Sequence, residues 1–386
     1  MLEFVNRSGS NCYKWDMEQA KDSIPMWIAD MDFKAAKPIR EAMKKRLDHG
    51  VFGYNIVPKE NYEAVASWFS RRHGWDGINE TNLLYTTAVV PAVSAIFKAL
   101  QLRVKKCQPL RVLTFTPAYN CFFACIDNMD CQLVPSPLVL VNNRFEIDWD
   151  DVEAKAKEAD VFLLCNPHNP TGRVWTKEEL ERLTQIMRKE KLFVLTDEIH
   201  GEFTFPGHTY TPFATIAIDD TDFCVCTSAS KAFNIAGLLC ANIFVPNKEL
   251  FGQISHALEI HEVNGLNPFG LVAQVAAYNE SEQWIEALNA YVYENYCLVR
   301  DFIEQRLPML AIHETEGTYL AWVNIEGLNI SAQQFCDELR DTQHVLFNPS
   351  TMYGCEGYVR VNLATSKELV QEALLRLEAY IVERRV

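Results

Sequence analysis

Four short apolar runs, each ending in a polar cluster, constrain this chain more than any other feature of it. Val112-Leu113-Thr114-Phe115 leads into Pro117-Ala118-Tyr119-Asn120. Val161 to Cys165 leads into Asn166-Pro167-His168-Asn169-Pro170-Thr171-Gly172. Leu192 to Thr196 leads into Asp197-Glu198-Ile199-His200, and Phe223 to Thr227 into Ser228-Ala229-Ser230-Lys231. These runs are continuous rather than alternating. Helical patterns lie between or beside them, at about Val89 to Leu102 and Lys177 to Lys189. Continuous apolar strands that alternate with helices predict a mostly parallel sheet covered by helices on both faces, an α/β fold. Ligands of such sheets bind just beyond the carboxyl ends of the strands. The pattern therefore delivers Tyr119, Asn169, Asp197 and Lys231 to one edge.

The flanking segments read differently. The helical pattern Pro38 to Leu47 precedes the loop Gly50-Val51-Phe52-Gly53-Tyr54-Asn55. Pro58 then opens a second helix that Gly74 closes. Leu83 to Tyr85 and Leu239 to Val245 are strand-like, Asn264 to Gly270 reads as irregular, and a long helix begins at Ser281. Strands at Thr318 to Ile325, Val345 to Asn348 and Tyr358 to Leu363, with helices Ser331 to Arg340 and Ser366 to Glu383, form a second α/β layer. Its natural packing partner is the N-terminus. The expected division is a small domain from residues 1–45 and 281–386 around a large domain, 46–280.

A chain of 386 residues that is 48% apolar can bury a substantial core. Its formal charge of −15 argues against a nucleic-acid partner. No apolar run is long enough to span a bilayer, and the first residues lack the order of a signal peptide. Of twelve cysteines, Cys165, Cys224, Cys226 and Cys240 lie within apolar runs. They read as core thiols of a reducing, cytoplasmic compartment. Cys121 and Cys125 are followed by no matching cluster, so no metal site is expected.

Each residue at the strand ends has two readings. In a partly buried pocket Lys231 is a nucleophile for a carbonyl; otherwise it starts a solvated loop. Asp197 either sits beneath a pyridine nitrogen and keeps it protonated, or caps a helix. Asn169 either meets a ring hydroxyl or serves the turn Asn-Pro-Thr-Gly. Tyr119 stacks on a ring or packs. Ala88-Val89-Val90 opens a helix that, with the hydroxyls of Ser228 and Ser230, suits a phosphate. Arg360, in Tyr358 to Asn362, is a carboxylate clamp or a surface strand residue.

The chain resembles the fold-type I pyridoxal-phosphate enzymes of the class I/II aminotransferase superfamily. Within them it resembles the cystathionine β-lyase (C–S lyase) branch of the MalY/PatB type. The likeness is carried by Trp27-Ile28-Ala29-Asp30-Met31-Asp32-Phe33, Phe52-Gly53-Tyr54, Cys165 to Trp175, Asp197-Glu198-Ile199-His200, Ser228 to Asn234 and Arg360-Val361-Asn362. It implies pyridoxal 5'-phosphate carried on Lys231, with Asp197 at the pyridine nitrogen, Asn169 at the ring oxygen and Tyr119 over the ring. It implies Val89, Val90, Ser228 and Ser230 around the phosphate, and His200 among the cofactor contacts. Arg360 and Asp30 belong to the substrate set. Tyr54 serves the site of a neighbouring subunit, which makes the enzyme a homodimer with shared sites. The implied reaction releases a thiol, pyruvate and ammonia from L-cystathionine or a related cysteine S-conjugate, an activity of methionine biosynthesis. The alternatives are an aminotransferase on the same cofactor and a regulatory binding protein. Two departures bear on this choice. Ala88 replaces a frequent glycine. His200 stands where many aminotransferases have tyrosine, and no arginine follows Lys231 until Arg300. The second agrees with the lyase branch.

Overall fold

The computed structural model describes residues 2–17, 22–104, 108–217 and 221–384. Among these residues the larger sheet has seven strands: β1 (Leu83–Thr86), β2 (Arg111–Thr116), β3 (Gln132–Pro137), β4 (Val161–Cys165), β5 (Phe193–Asp197), β6 (Phe223–Thr227) and β7 (Ala241–Phe244). Their spatial order is β1-β7-β6-β5-β4-β2-β3. The pairs from β3 across to β6 are parallel, while β7 runs antiparallel to both β1 and β6.

Every residue of β4, β5 and β6 is buried. Alternate side chains enter two different apolar clusters. Phe162, Leu164, Val194 and Val225 pack on one face of the sheet, and Val161, Leu163, Leu195 and Cys224 on the other. Both faces are apolar, so no alternation shows in the sequence. β3 is a strand that the apolar pattern did not announce. It lies at the sheet edge, where Pro135 and Pro137 are tolerated and alternate residues meet solvent.

The helices follow their punctuation. Lys37–His49 ends at Gly50, whose φ of 75° lets its N–H return to Leu47 O at 3.0 Å. Lys59–His73 begins after Pro58 and ends at Gly74. One expectation fails: Pro268–Glu280, part of it read as irregular, is a largely buried helix. Asn267 caps it by accepting from Gly270 N–H at 2.8 Å, and Pro268 stands where a missing N–H costs nothing. The long helix Glu282–Arg306 then starts beside Ser281 as anticipated.

The second sheet holds β8 (Ala311–Ile312), β9 (Leu320–Asn324), β10 (Asn348–Pro349) and β11 (Tyr358–Asn362), all antiparallel, in the order β8-β9-β11-β10. Ile24–Pro25 pairs in parallel with Val345–Leu346, and Asn362 N–H donates to Met26 O at 2.8 Å. The two sheets meet at Gly172, whose carbonyl accepts from the N–H groups of Glu316 and Gly317. Beside it the fully buried Arg173 and Glu316 pair at 3.3 Å. Cys165, Cys224, Cys226 and Cys240 are buried free thiols. Among the described residues no three potential ligands converge on a metal position, and no helix is long and apolar enough to cross a membrane.

Candidate active site

The carboxyl ends of β2, β4, β5 and β6 open onto a cavity of about 160 Å³. Tyr119, Asn169, Asp197 and Lys231 line it, together with Val89, Val90, His200, Ser228, Ser230 and Ala29. A fully parallel run of strands presents successive turn residues on one edge, which is why residues so distant in sequence share one cavity.

Lys231 sits on the short helix Ala229–Ala232 directly after β6. Its Nζ donates to Ala29 O at 2.6 Å. Burial pulls its ammonium below the ordinary lysine value; the Asp30 charge opposes this, and Arg360 reinforces it. Asp197 closes β5. Burial pushes its carboxyl up to about 6, against the pull of an Ile199 N–H bond at 3.1 Å and of the Lys231 charge. Burial, seconded by the charges of Lys231 and Arg360, takes the His200 imidazole down to about 3, so it is neutral at pH 7. Its Nδ1 is buried without a partner among the described residues. Thr87 and Ala88 precede the helix Val89–Val104 and line the cavity together with its first two residues, Val89 and Val90. Ser228 caps the Lys231 helix: its Oγ accepts from Ser230 N–H at 3.0 Å and donates to Cys240 O at 2.7 Å. The single hydroxyl proton of Ser228 is thus committed to the protein, and in this arrangement Ser228 can only accept from a ligand.

Arg360 is buried rather than a surface strand residue. From β11 it lies over the Tyr353 ring at 4.8 Å. One terminal nitrogen donates to Asn169 Oδ1 and the other to Trp27 O, both at 3.1 Å. Two of its five N–H groups are used in this way, which leaves a forked donor for a carboxylate.

The segment Trp27 to Phe33 crosses this side of the site as a strap whose carbonyls are held by side chains. Asn348 reaches Trp27 O at 2.9 Å. Asn362 reaches Ile28 O and Asp30 O, each at 2.6 Å. Asn234 reaches Met31 O at 3.1 Å and Phe33 O at 2.8 Å. Both acids of the strap are paired. Asp30 pairs with Arg7 at 2.8 Å, and buried Asp32 with buried Lys14 at 2.7 Å. The asparagine clamps escaped the sequence reading, although one signal was present. Asn234 follows Lys231 closely and has φ 56°, a backbone state that asparagine tolerates better than most residues.

Tyr54 lies outside the cavity of its own chain. It is fully exposed in the irregular stretch 51–58, beside the exposed Val51, Phe52 and Ile56.

A model of the family described as aminotransferase class I and II matches residues 22–377. Cystathionine β-lyase PatB of Bacillus subtilis is 33% identical, the match covering 97% of both chains. Protein MalY of Escherichia coli is 30% identical over 97% of this chain and 96% of its own. Among solved structures, the PLP-bound C–S lyase of Staphylococcus hominis superposes with a TM-score of 0.89 at 32% identity, covering 99% of this chain and 98% of that one.

Proposed function

The chain belongs to the aminotransferase class I and II family, and from that premise we propose a pyridoxal-phosphate-dependent carbon–sulfur lyase. It splits L-cystathionine or a related cysteine S-conjugate into a thiol, pyruvate and ammonia. The residues present fit the cofactor. The cavity combines an amine, a buried carboxyl, a neutral imidazole with an unpartnered nitrogen, and the N-terminus of a long helix. Each answers a different group on a pyridine aldehyde phosphate.

The observation that carries the reading is the placement of Lys231 and Asp197 on one cavity, with buried Arg360 reaching it through Asn169. When bound there, the cofactor supplies a sink for the electron pair left when the substrate α-proton departs. Lys231 Nζ would hold the cofactor by its aldehyde, and the free amine would take the substrate α-proton. Burial lowers its affinity for a proton, the direction that favours a general base. Asp197 would keep the pyridine nitrogen protonated. Tyr119, Asn169 and His200 would contact the cofactor ring, and Val89, Val90 and Ser230 would hold its phosphate. Arg360 orients the substrate by its α-carboxylate. The C–S bond then breaks with the pair leaving on sulfur, and the released three-carbon product hydrolyses to pyruvate and ammonia. Among the described residues lining the cavity, Lys231 is the sole lysine or arginine. A second cation is therefore missing there for the side-chain carboxylate of a short dicarboxylic amino acid such as aspartate or glutamate, which speaks against such a substrate.

The test is product analysis. The holoenzyme is expected to release thiol and pyruvate from L-cystathionine with no 2-oxoacid added. Turnover that requires 2-oxoglutarate or pyruvate as acceptor, with no thiol formed, would hand the reading to an aminotransferase.

We infer further that the enzyme is a homodimer with shared sites. Val51, Phe52, Tyr54 and Ile56 are large apolar side chains exposed on one irregular segment, a combination that asks for a covering surface. Phe52 stacks on Phe269 at 5.6 Å and Asn55 bonds Leu266 O at 2.9 Å, so the segment is held in place rather than loose. Tyr54 would then reach the cofactor phosphate in the partner's site. Tyr54→Phe is expected to weaken cofactor retention about 10-fold, the usual weight of a hydrogen bond to a charged group. Mixing the Tyr54→Phe and Lys231→Ala proteins should restore sites in heterodimers. A fully active monomer in sedimentation would refute the shared site.

A further inference from the structure

Tyr319 is a buried phenol in an unusual position. It is fully buried, and its hydroxyl has no partner among the described residues. Its ring packs edge-on against Phe203 at 4.9 Å and against His200, a wall of the cavity, at 5.7 Å. Two other buried polar atoms without described partners belong to the same neighbourhood, His200 Nδ1 and Arg360 Nε. Arg360 acts electrostatically on both Tyr319 and His200, and Asp30 acts on Tyr319. Well-packed proteins rarely leave buried donors idle, and a cluster of them marks a place where a polar ligand belongs.

The backbone before Tyr319 points the same way. Thr318 has φ 67°, a left-handed state that is strained for a β-branched residue. Its surroundings enforce it. Thr318 N–H donates to Phe203 O at 3.0 Å, and its Oγ1 accepts from Leu320 N–H at 3.2 Å. Behind it, a Cβ on Gly317 would stand 2.4 Å from Phe203 O. On the other side Tyr319 O accepts from Leu363 N–H at 2.8 Å. Strain held so firmly next to a reactive site is a sign of use, and here it fixes the direction of the Tyr319 side chain as it enters β9.

We propose that Tyr319 is a substrate-binding residue whose phenol donates to the α-carboxylate of the amino-acid substrate, beside the free N–H groups of Arg360. This rests on the pyridoxal-phosphate reading above. A carboxylate has about four acceptor positions, and the arginine fork fills two. The phenol supplies a third, and Thr318 sets its aim.

The experiment compares wild-type and Tyr319→Phe holoenzymes. L-alanine has no β leaving group, so its binding, followed by the cofactor absorbance, is readable whether the enzyme eliminates or transaminates. L-alaninamide has the same carbon skeleton without the carboxylate. Tyr319→Phe is expected to raise the Kd of L-alanine about 10-fold and to leave that of L-alaninamide unchanged. KM for cystathionine should rise with it, while kcat stays within about threefold. An unchanged Kd for L-alanine, or equal losses for both ligands, would overturn the proposal. So would a shift of the cofactor's own absorbance or affinity without loss of discrimination, since the phenol would then face the cofactor. A fall in Tm with discrimination intact would mark Tyr319 as merely structural. If cystathionine yields no thiol but the alanine discrimination is lost as expected, the lyase reading fails and the assignment of Tyr319 stands.

Discussion

Lys231→Ala is expected to reduce elimination at least about 10³-fold, since it removes both the covalent anchor and the base that takes the α-proton. The change is small in structural terms. Lys231 ends in a single hydrogen bond to Ala29 O, and the helix around it is capped by Ser228 rather than by the lysine. Removing a buried ammonium also removes a desolvation cost, so the fold should survive. The measurement has two parts. Borohydride treatment of the wild type should leave cofactor mass on one tryptic peptide, the one containing Lys231, and the variant should carry none. Attachment at any other lysine would refute the assignment. An added primary amine such as methylamine should recover a fraction of the variant's turnover, because the missing group is then supplied from solution.

Asp197→Asn is expected to cost at least about 10²-fold in kcat, the usual weight of a preorganised charge facing a centre that gains electrons. Near-wild-type turnover would exclude the role. The same variant tests the burial of the carboxyl through pH. Folded Asp197 titrates near 6 against an ordinary 3.8. Between these values the folded protein holds a proton that the unfolded chain has lost, so this group makes stability fall as pH rises. Asparagine does not titrate. The Asp197→Asn apoprotein should therefore gain on the wild-type apoprotein by on the order of 2–3 kcal/mol between about pH 4 and about pH 7. A difference that is flat with pH, measured by urea unfolding of the two apoproteins, would mean that the carboxyl is not desolvated.

Several elements could be read locally because a short window contains their cause. β6 occupies the whole of the apolar run Phe223–Thr227, and Lys177–Glu190 starts at a Thr176 capping box. Even the missed helix Pro268–Glu280 carried its start signals in Asn267 and Pro268. The glycines on either side, Gly265 and Gly270, masked these signals, because glycine is a poor helix former. β3 was hidden for a different reason. An edge strand needs only one buried face, and its two prolines resemble loop residues until a neighbour shows which N–H groups go unused. The direction of β7 was likewise invisible, because an apolar strand of four residues looks the same whichever way it runs.

The sequence by itself determined the alternation of the central apolar strands with helices, the residues at the strand ends, and through them the class of chemistry. Local sterics and the apolar pattern suffice for that, and both act over a few residues. Only the tertiary structure decided that Arg360 is buried over Tyr353, that it grips Asn169 and the carbonyl of Trp27, and that three asparagines hold the strap across the site. These contacts join positions up to 334 residues apart. They form because a buried donor needs a buried acceptor, and which acceptor lies within reach is fixed by how the two sheets pack rather than by the neighbours of either residue along the chain.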